Sequence, residues 1–138
     1  MPESITDVAK QQLLAYNDKN WDRVREVVAP TIVYDEVGTH RKLTGVDDLL
    51  ASWKGWATAI PDSEATIHTA VESGNTVTIE LTWHGTHQGP LVTPNGTIEA
   101  TGKPIELRAC QVIQVADGKT TSIRQYFDVG SLIQQITG

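Results

Sequence analysis

Two ionisable groups and two amides sit where the residue pattern of this chain could turn them toward a common interior. His87 closes the segment Thr76 to His87, TVTIELTWHGTH, whose odd positions Val77, Ile79, Leu81 and Trp83 are apolar and whose even positions are polar. Side chains alternate across a strand with a period of two, so the register that buries Val77 to Trp83 passes through Gly85 to His87. An imidazole there can take a proton from carbon or return one to an alkoxide. The other reading ends strand order at Gly85, because glycine often marks a bulge, and leaves His87 in a solvated loop. Asp128 follows Gln125 by three residues and adjoins Tyr126 and Phe127. A bend in the last strand would turn its carboxylate inward as a general base; otherwise it caps a following helix.

Gln111 and Gln125 lie seven residues before and seven after Gly118, on the face that carries Ile105, Leu107, Ala109, Ile113, Val115, Ile123 and Phe127. A buried amide must find a hydrogen-bond partner. A ligand oxygen would serve, and so would the other glutamine or nearby backbone. Tyr34 and Asp35 are adjacent on a short predicted strand, so only one of them faces inward. Asp35 shares its face with Val33 and Val37, which favours it, although an exposed acid on an edge strand is equally natural. Trp53 and Trp83 offer flat apolar surface for an aromatic ligand, whereas Trp56 falls within a helical stripe and reads as core.

The elements that must position these groups follow from periodicity. A first helix begins at Ser4 or Thr6 and buries Ile5, Val8, Ala9, Leu13 and Tyr16, and residues Asn17 to Asn20 break it. Asn20 caps a second short helix with Val24, Val27 and Val28 inward, stopped by Pro30. Thr31 to Glu36 is a strand, followed by a turn at Gly38 and a loop to Gly45. Val46, Leu49, Leu50, Trp53, Trp56, Ala57 and Ile60 then form the apolar stripe of a third helix that ends at Pro61. The rest is β-rich: 65–73, a Gly74-Asn75 turn, 76–87, a loop over 88–102, 103–116, an Asp117-Gly118 hairpin, 119–128, and a terminal helix over 131–136. Helices gathered on one face of such a meander define an α+β domain with room for a cavity under the helical cover.

Composition narrows the function classes. The 138 residues, 39% hydrophobic and 20% charged, fit one domain over 1–138. A chain of this size removes roughly two-thirds of its unfolded surface on folding, enough to surround a small ligand. Cys110 is the single cysteine, and no Cys or His spacing suggests a metal site; no cofactor is expected. A formal charge of -6 without a basic cluster argues against nucleic acid. No apolar run approaches the ~20 residues that cross a bilayer, and the N-terminus lacks a secretion signal, so a cytoplasmic protein without a membrane partner is expected.

Several stretches resemble SnoaL-like polyketide cyclases of the nuclear transport factor 2-like superfamily: AYNDKNWDRVREVVAP with TIVYDE, THRKLTGVDDLLASW, WHGTHQGPLVTPNGTIEATGKPIELRAC, and VADGKTTSIRQYFDVGSLIQQITG. The likeness covers nearly the whole chain. It implies a cone-shaped α+β barrel in which N-terminal helices cover a curved mixed or antiparallel sheet, a ligand pocket, and a homodimer formed through the sheet. It also implies acid/base chemistry by a carboxylate on the final strand with a polar partner on its neighbour. Gln125 stands where that acid is expected and Gln111 where its partner is, and glutamine cannot exchange protons at neutral pH. The implied function is a cofactor-independent cyclase or isomerase acting on a small apolar, aromatic or polyketide-like substrate. In that scheme Asp128 removes a carbon-bound proton, His87 relays it, Gln111 and Gln125 hold the oxygen that gains charge, and Tyr34 or Asp35, Trp53, Trp83 and Tyr126 line the pocket. An epoxide hydrolase-like activity and a non-catalytic binding or dimerisation module on the same fold are the alternatives.

Overall fold

A long bent sheet and the helices packed on its concave side organise the chain, described for residues 4–138 in a computed structural model. The first three residues of the N-terminal stretch discussed above lie outside the described residues. The elements in chain order are α1 (Ile5–Asn17), α2 (Trp21–Val27), β1 (Val28–Glu36), a 3-10 turn (Val37–Thr39), β2 (Arg41–Thr44), α3 (Val46–Ala59), β3 (Glu64–Ser73), β4 (Thr76–Thr86), β5 (Leu91–Thr93), β6 (Gly96–Ile98), β7 (Pro104–Ala116), β8 (Lys119–Phe127) and α4 (Val129–Thr137).

Six strands form one sheet in the order β2-β1-β8-β7-β4-β3, and β5 with β6 makes a separate hairpin. All neighbours are antiparallel except β1 and β8, which run parallel. This is the predicted α+β architecture with the predicted meander, β3 to β4 to β7 to β8, and the β1–β8 pair makes the sheet mixed. Side-chain caps hold the helix starts: Ser4 accepts from the Asp7 amide at 3.1 Å, and Asn20 from the Arg23 amide at 3.0 Å.

Three local expectations are corrected. Val28 belongs to β1 rather than to α2, and Pro30 lies inside β1 where its register against β8 shifts between Val28 and Val33. A proline removes a ladder donor, and the irregularity is where that donor is dispensable. The stretch 41–44, read as loop, pairs with β1 as an edge strand. The loop over 88–102 contains the β5–β6 hairpin.

The main core packs α1 and α3 onto the sheet through Ala9, Leu13, Leu49 and Trp53 against Val77, Ile79, Leu81, Ile113 and Ile123. A second cluster joins the C-terminal end of α3, the β5 hairpin and α4 through Ala59, Ile60, Leu91, Ile105, Leu107, Leu132 and Ile136. The two clusters meet around Trp83 and Phe127, which touch both. No helix of the described residues is long and apolar enough to cross a membrane.

Candidate active site

Between the two clusters lies a cavity of about 70 Å³ whose walls are mostly aromatic and aliphatic. Tyr16 from α1, Trp53 and Trp56 from α3, Trp83 from β4 and Phe127 from β8 form its apolar walls. Their rings meet edge to face: Tyr16 lies 5.2 Å from Trp83 and 5.9 Å from Trp53, and Tyr34 lies 5.7 Å from Trp53. That arrangement fixes ring orientation and keeps the walls stiff.

The polar groups of the cavity are connected to one another. Tyr34 and Glu36 are both 1% exposed, because Ile32, Tyr34 and Glu36 occupy the inward positions of β1. The Tyr34 hydroxyl donates to Glu36 Oε2 at 2.8 Å, and the Trp56 indole N–H donates to the same oxygen at 3.1 Å. The Thr39 hydroxyl donates to Glu36 Oε1 at 2.7 Å. Three donors on one carboxylate compensate for removing its charge from water. Gln125 donates from Nε2 to the Tyr34 oxygen at 2.8 Å and accepts on Oε1 from Trp83 Nε1 and Gln111 Nε2, both at 3.0 Å. Gln111 Oε1 in turn accepts from Gln12 Nε2 at 2.8 Å. One unbroken hydrogen-bonded chain therefore runs from Glu36 on β1 through Tyr34, Gln125 and Gln111 to Gln12 on α1.

Burial holds the Tyr34 phenol well above the ordinary tyrosine value, and the neighbouring Glu36 charge and hydrogen bond add to the effect, against the opposing bonds from Gln125 and Trp53. Tyr34 is thus a neutral donor at physiological pH. Burial also raises Tyr16, partly offset by its 2.6 Å bond with the Ser63 hydroxyl.

Gln111, Gln125, Tyr34, Trp53 and Trp83 all line the cavity. The two glutamines bond each other and also face the cavity, so the alternatives drawn for them coexist. The other four named residues lie elsewhere. Asp128 is exposed, and its Oδ1 accepts from the Ser131 amide at 3.3 Å as the N-cap of α4. β8 ends at Phe127 and does not bend to carry Asp128 inward. Tyr126 is 43% exposed; it pairs with Cys110 on the outer face, one position out of register with the cavity-lining Gln125 and Phe127. Asp35 takes the outward side of β1, since inward-facing Tyr34 excludes it.

His87 is fully buried, as the alternation predicts. It lies beyond the end of β4, however, and is not among the residues lining the cavity. Its Nδ1 accepts from the Thr101 amide at 3.3 Å and meets the Thr101 hydroxyl at 3.0 Å, while its backbone bonds Lys103 and Gly102. The ring anchors the base of the arm that carries β5 and β6.

The residue pattern alone does not mark Glu36, Gln12 or Tyr16 as site residues, and it places Trp56 in the core, whereas all four line the cavity. The signal for Glu36 was the period of two through Ile32 and Tyr34. The signal for Gln12 was a polar residue within the α1 stripe of Val8, Ala9, Leu13 and Tyr16. Glu36 also has a positional meaning, because it is the direct ladder partner of Gln125 across the parallel β1–β8 pair. An inward carboxylate therefore stands on the strand next to β8, directly opposite Gln125. Among the described residues, no group of three or more His, Cys, Asp or Glu side chains comes together in a way that could hold a metal ion.

The fold recurs in solved structures. IdmH from Streptomyces antibioticus, described as a putative polyketide cyclase, superposes with a TM-score of 0.83 at 22% identity, covering 99% of this chain and 100% of that one. A putative SnoaL-like polyketide cyclase from Jannaschia sp. CCS1 superposes with a TM-score of 0.82 at 16% identity, covering 100% and 97%. An epoxide hydrolase of M. tuberculosis described as LEH-like gives 0.73 at 21% identity, covering 96% and 88%. At these identities the likeness establishes the fold, that of the ketosteroid isomerase and nuclear transport factor 2-like proteins. No curated protein matches the chain in sequence. The family model for SnoaL-like polyketide cyclase matches residues 6–136, and with that span of agreement the chain belongs to the SnoaL-like polyketide cyclase family.

Proposed function

We propose that this protein is a cofactor-independent enzyme that removes a proton from a carbon next to a carbonyl in a small, flat, largely apolar substrate, and so drives an aldol-type ring closure or an isomerisation. The observation that carries the reading is Glu36, the one carboxylate among the cavity-lining residues, held against Tyr34 in an otherwise apolar hollow. Glu36 accepts the carbon-bound proton. The resulting enolate attacks a second carbonyl carbon, forming the carbon–carbon bond and leaving an alkoxide. Tyr34 gives its proton to that alkoxide and takes back the proton held by Glu36, which restores both groups. Each amide nitrogen of Gln111 and Gln125 carries two hydrogens, of which one is committed within the chain, so each has a second N–H for the oxygen that gains charge. Asp128 and His87 take no part in this scheme.

Epoxide opening calls for one acid to activate water and another group to protonate the ring oxygen, and a single carboxylate suits it less well. The protein is read as one domain that works as a homodimer, with the outer sheet face bearing Tyr126 and Val71 against its partner. The decisive measurement is hydrogen–deuterium exchange at the activated methylene of 2-tetralone, followed by NMR. Exchange above the buffer rate, lost by at least about a hundredfold in Glu36→Gln while the ligand still quenches tryptophan fluorescence, supports the scheme. Binding without exchange in the unaltered protein supports a non-catalytic binding module instead.

A further inference from the structure

The hydrogen-bonded chain in the cavity has a direction, and the direction forces an unmet demand at its far end. Glu36 only accepts, so the Tyr34 hydroxyl must donate to it, and the Tyr34 oxygen is left as an acceptor. Gln125 must therefore present its nitrogen to Tyr34. The Trp83 indole, which can only donate, independently requires the oxygen of Gln125 on the other side. Gln111 must then donate to that oxygen, which turns its own oxygen toward Gln12. Gln12 donates to Gln111 at 2.8 Å and to the Ala9 carbonyl at 3.1 Å, so both of its donor hydrogens are used.

What remains is Gln12 Oε1, buried and without a hydrogen-bond partner, on a residue that is 0% exposed and lines the cavity. Flipping the Gln12 amide does not relieve this, because it would set its oxygen against both the Gln111 oxygen and the Ala9 carbonyl oxygen. A buried acceptor left unmade is costly, and the cost is recovered when a donor arrives. Lone pairs cannot be satisfied by a carbonyl, ether or carboxylate oxygen.

We propose that the substrate carries a hydroxyl, phenolic or enolic O–H group that donates to Gln12 Oε1, at the other end of the hydrogen-bonded chain from the Glu36 carboxylate, and that Gln12 selects for it. This rests on the reading of the cavity as a ligand site and names a feature of the molecule that fills it. The reacting carbon sits at the Glu36 end, and the hydroxyl is the handle at the α1 end. A fully methylated analogue of the same shape would present an ether oxygen to Gln12 and be rejected, since both groups only accept. The discrimination arises because a site built around a polar partner penalises the analogue that lacks it more than an apolar site rewards the analogue that fits.

The test compares 2-naphthol with 2-methoxynaphthalene, two flat probes that differ in that one donor, by calorimetric titration and quenching of the wall tryptophans. The unaltered protein should bind the naphthol at least about tenfold more tightly, the size of effect expected from one buried hydrogen bond. Gln12→Leu should bring the two affinities within about twofold. Gln12→Met, of similar length and also lacking the acceptor, serves where the leucine variant fails to fold. Equal affinities in the unaltered protein overturn the proposal while leaving the cavity a ligand site. A preference that persists unchanged in both variants also overturns it, because the selecting group is then elsewhere. Binding of neither probe removes the cavity reading and this inference together.

Discussion

The Tyr34 hydroxyl donates to the Glu36 carboxylate at 2.8 Å from two positions earlier on the same strand, and both side chains point into the cavity. This spacing places a proton donor and a proton acceptor on one face without help from a loop. It also makes ionisation of Tyr34 costly, since burial and the adjacent negative charge both favour the neutral phenol.

That cost sets an alkaline limit on stability. The folded state keeps the Tyr34 proton above the pH at which the unfolded chain, with a tyrosine value near 10.0, gives it up. The unfolded state then binds fewer protons, so unfolding free energy falls as pH rises. The contribution is fully present below pH about 10 and is lost above it, at up to about 1.4 kcal/mol per pH unit for this one group. Tyr16 adds to the same trend, its value also being raised by burial. Urea unfolding between pH 8 and 11 should show the decline, and Tyr34→Phe should show a shallower one from a lower starting stability. An identical slope in that variant would mean that Tyr34 ionises freely in the fold.

Gln125→Glu tests whether Glu36 already occupies the place of the acid. Gln125 is the ladder partner of Glu36, and a carboxylate there would face a like charge and lose the amide donor to Tyr34. One carboxyl of the pair must then hold its proton above the ordinary carboxylate range. A raised value contributes stability in acid that is lost as pH rises through it. The variant should therefore approach the parent in stability near pH 4 and fall behind by a few kcal/mol near pH 8. Thermal melting across that range reads the crossing; a deficit that does not change with pH would show that the two side chains do not interact.

Asp128→Ala separates the two carboxylates that sequence and structure nominate. As the exposed N-cap of α4, Asp128 supports only the first turn through a 3.3 Å bond to the Ser131 amide. Its loss should cost about 1 kcal/mol of stability. The rate of 2-tetralone exchange should be unchanged, in contrast to the loss expected for Glu36→Gln. A large fall in exchange with stability intact would return the base role to Asp128.

Which parts of the site could be read in advance follows from how each residue announces itself. Gln111 and Gln125 interrupt long strands whose apolar period is otherwise complete, so their inward direction was legible, as was that of Trp53 in the α3 stripe. Glu36 is not, because Val33 and Val37 point the alternation of this strand the wrong way. The inward set is Ile32, Tyr34 and Glu36, and Val37 belongs to the 3-10 turn, where strand alternation no longer applies. Gln12 interrupts an apolar stripe just as the strand glutamines do. A helix that packs against a sheet shows a broader buried face than a strand, so one polar residue within it stands out less. Asp128 misled for a different reason: a capping aspartate and a catalytic one have the same local sequence, and only the end of β8 distinguishes them. The parallel pairing of β1 with β8 joins distant segments, and no local pattern announces it.

Two glycines near the C-terminal end of α3 should respond to alanine with opposite signs. Gly89 passes so close to α3 that a Cβ there would collide with the Thr58 carbonyl oxygen and lie 3.0 Å from its carbon. The obstacle is backbone, and it is held in place, because the amides of Gln88 and Gly89 both donate to the Ala59 carbonyl at 3.0 Å. Relief would require the start of the β5–β6 arm to move off the helix, breaking those bonds and loosening Leu91 from the second cluster. Gly89→Ala should destabilise by about 1–3 kcal/mol and weaken naphthol binding, since Ile60 beside this contact lines the cavity. Gly55 lies within α3, and a Cβ there meets nothing within 4 Å. Alanine at that position only restricts the unfolded chain and improves helix propensity, so Gly55→Ala should stabilise by about 0.5–1 kcal/mol with binding unchanged. Chemical denaturation of the two variants against the parent measures both signs at once. Equal shifts in the same direction would mean that the arm does not rest on α3 as closely as its two shared hydrogen bonds require.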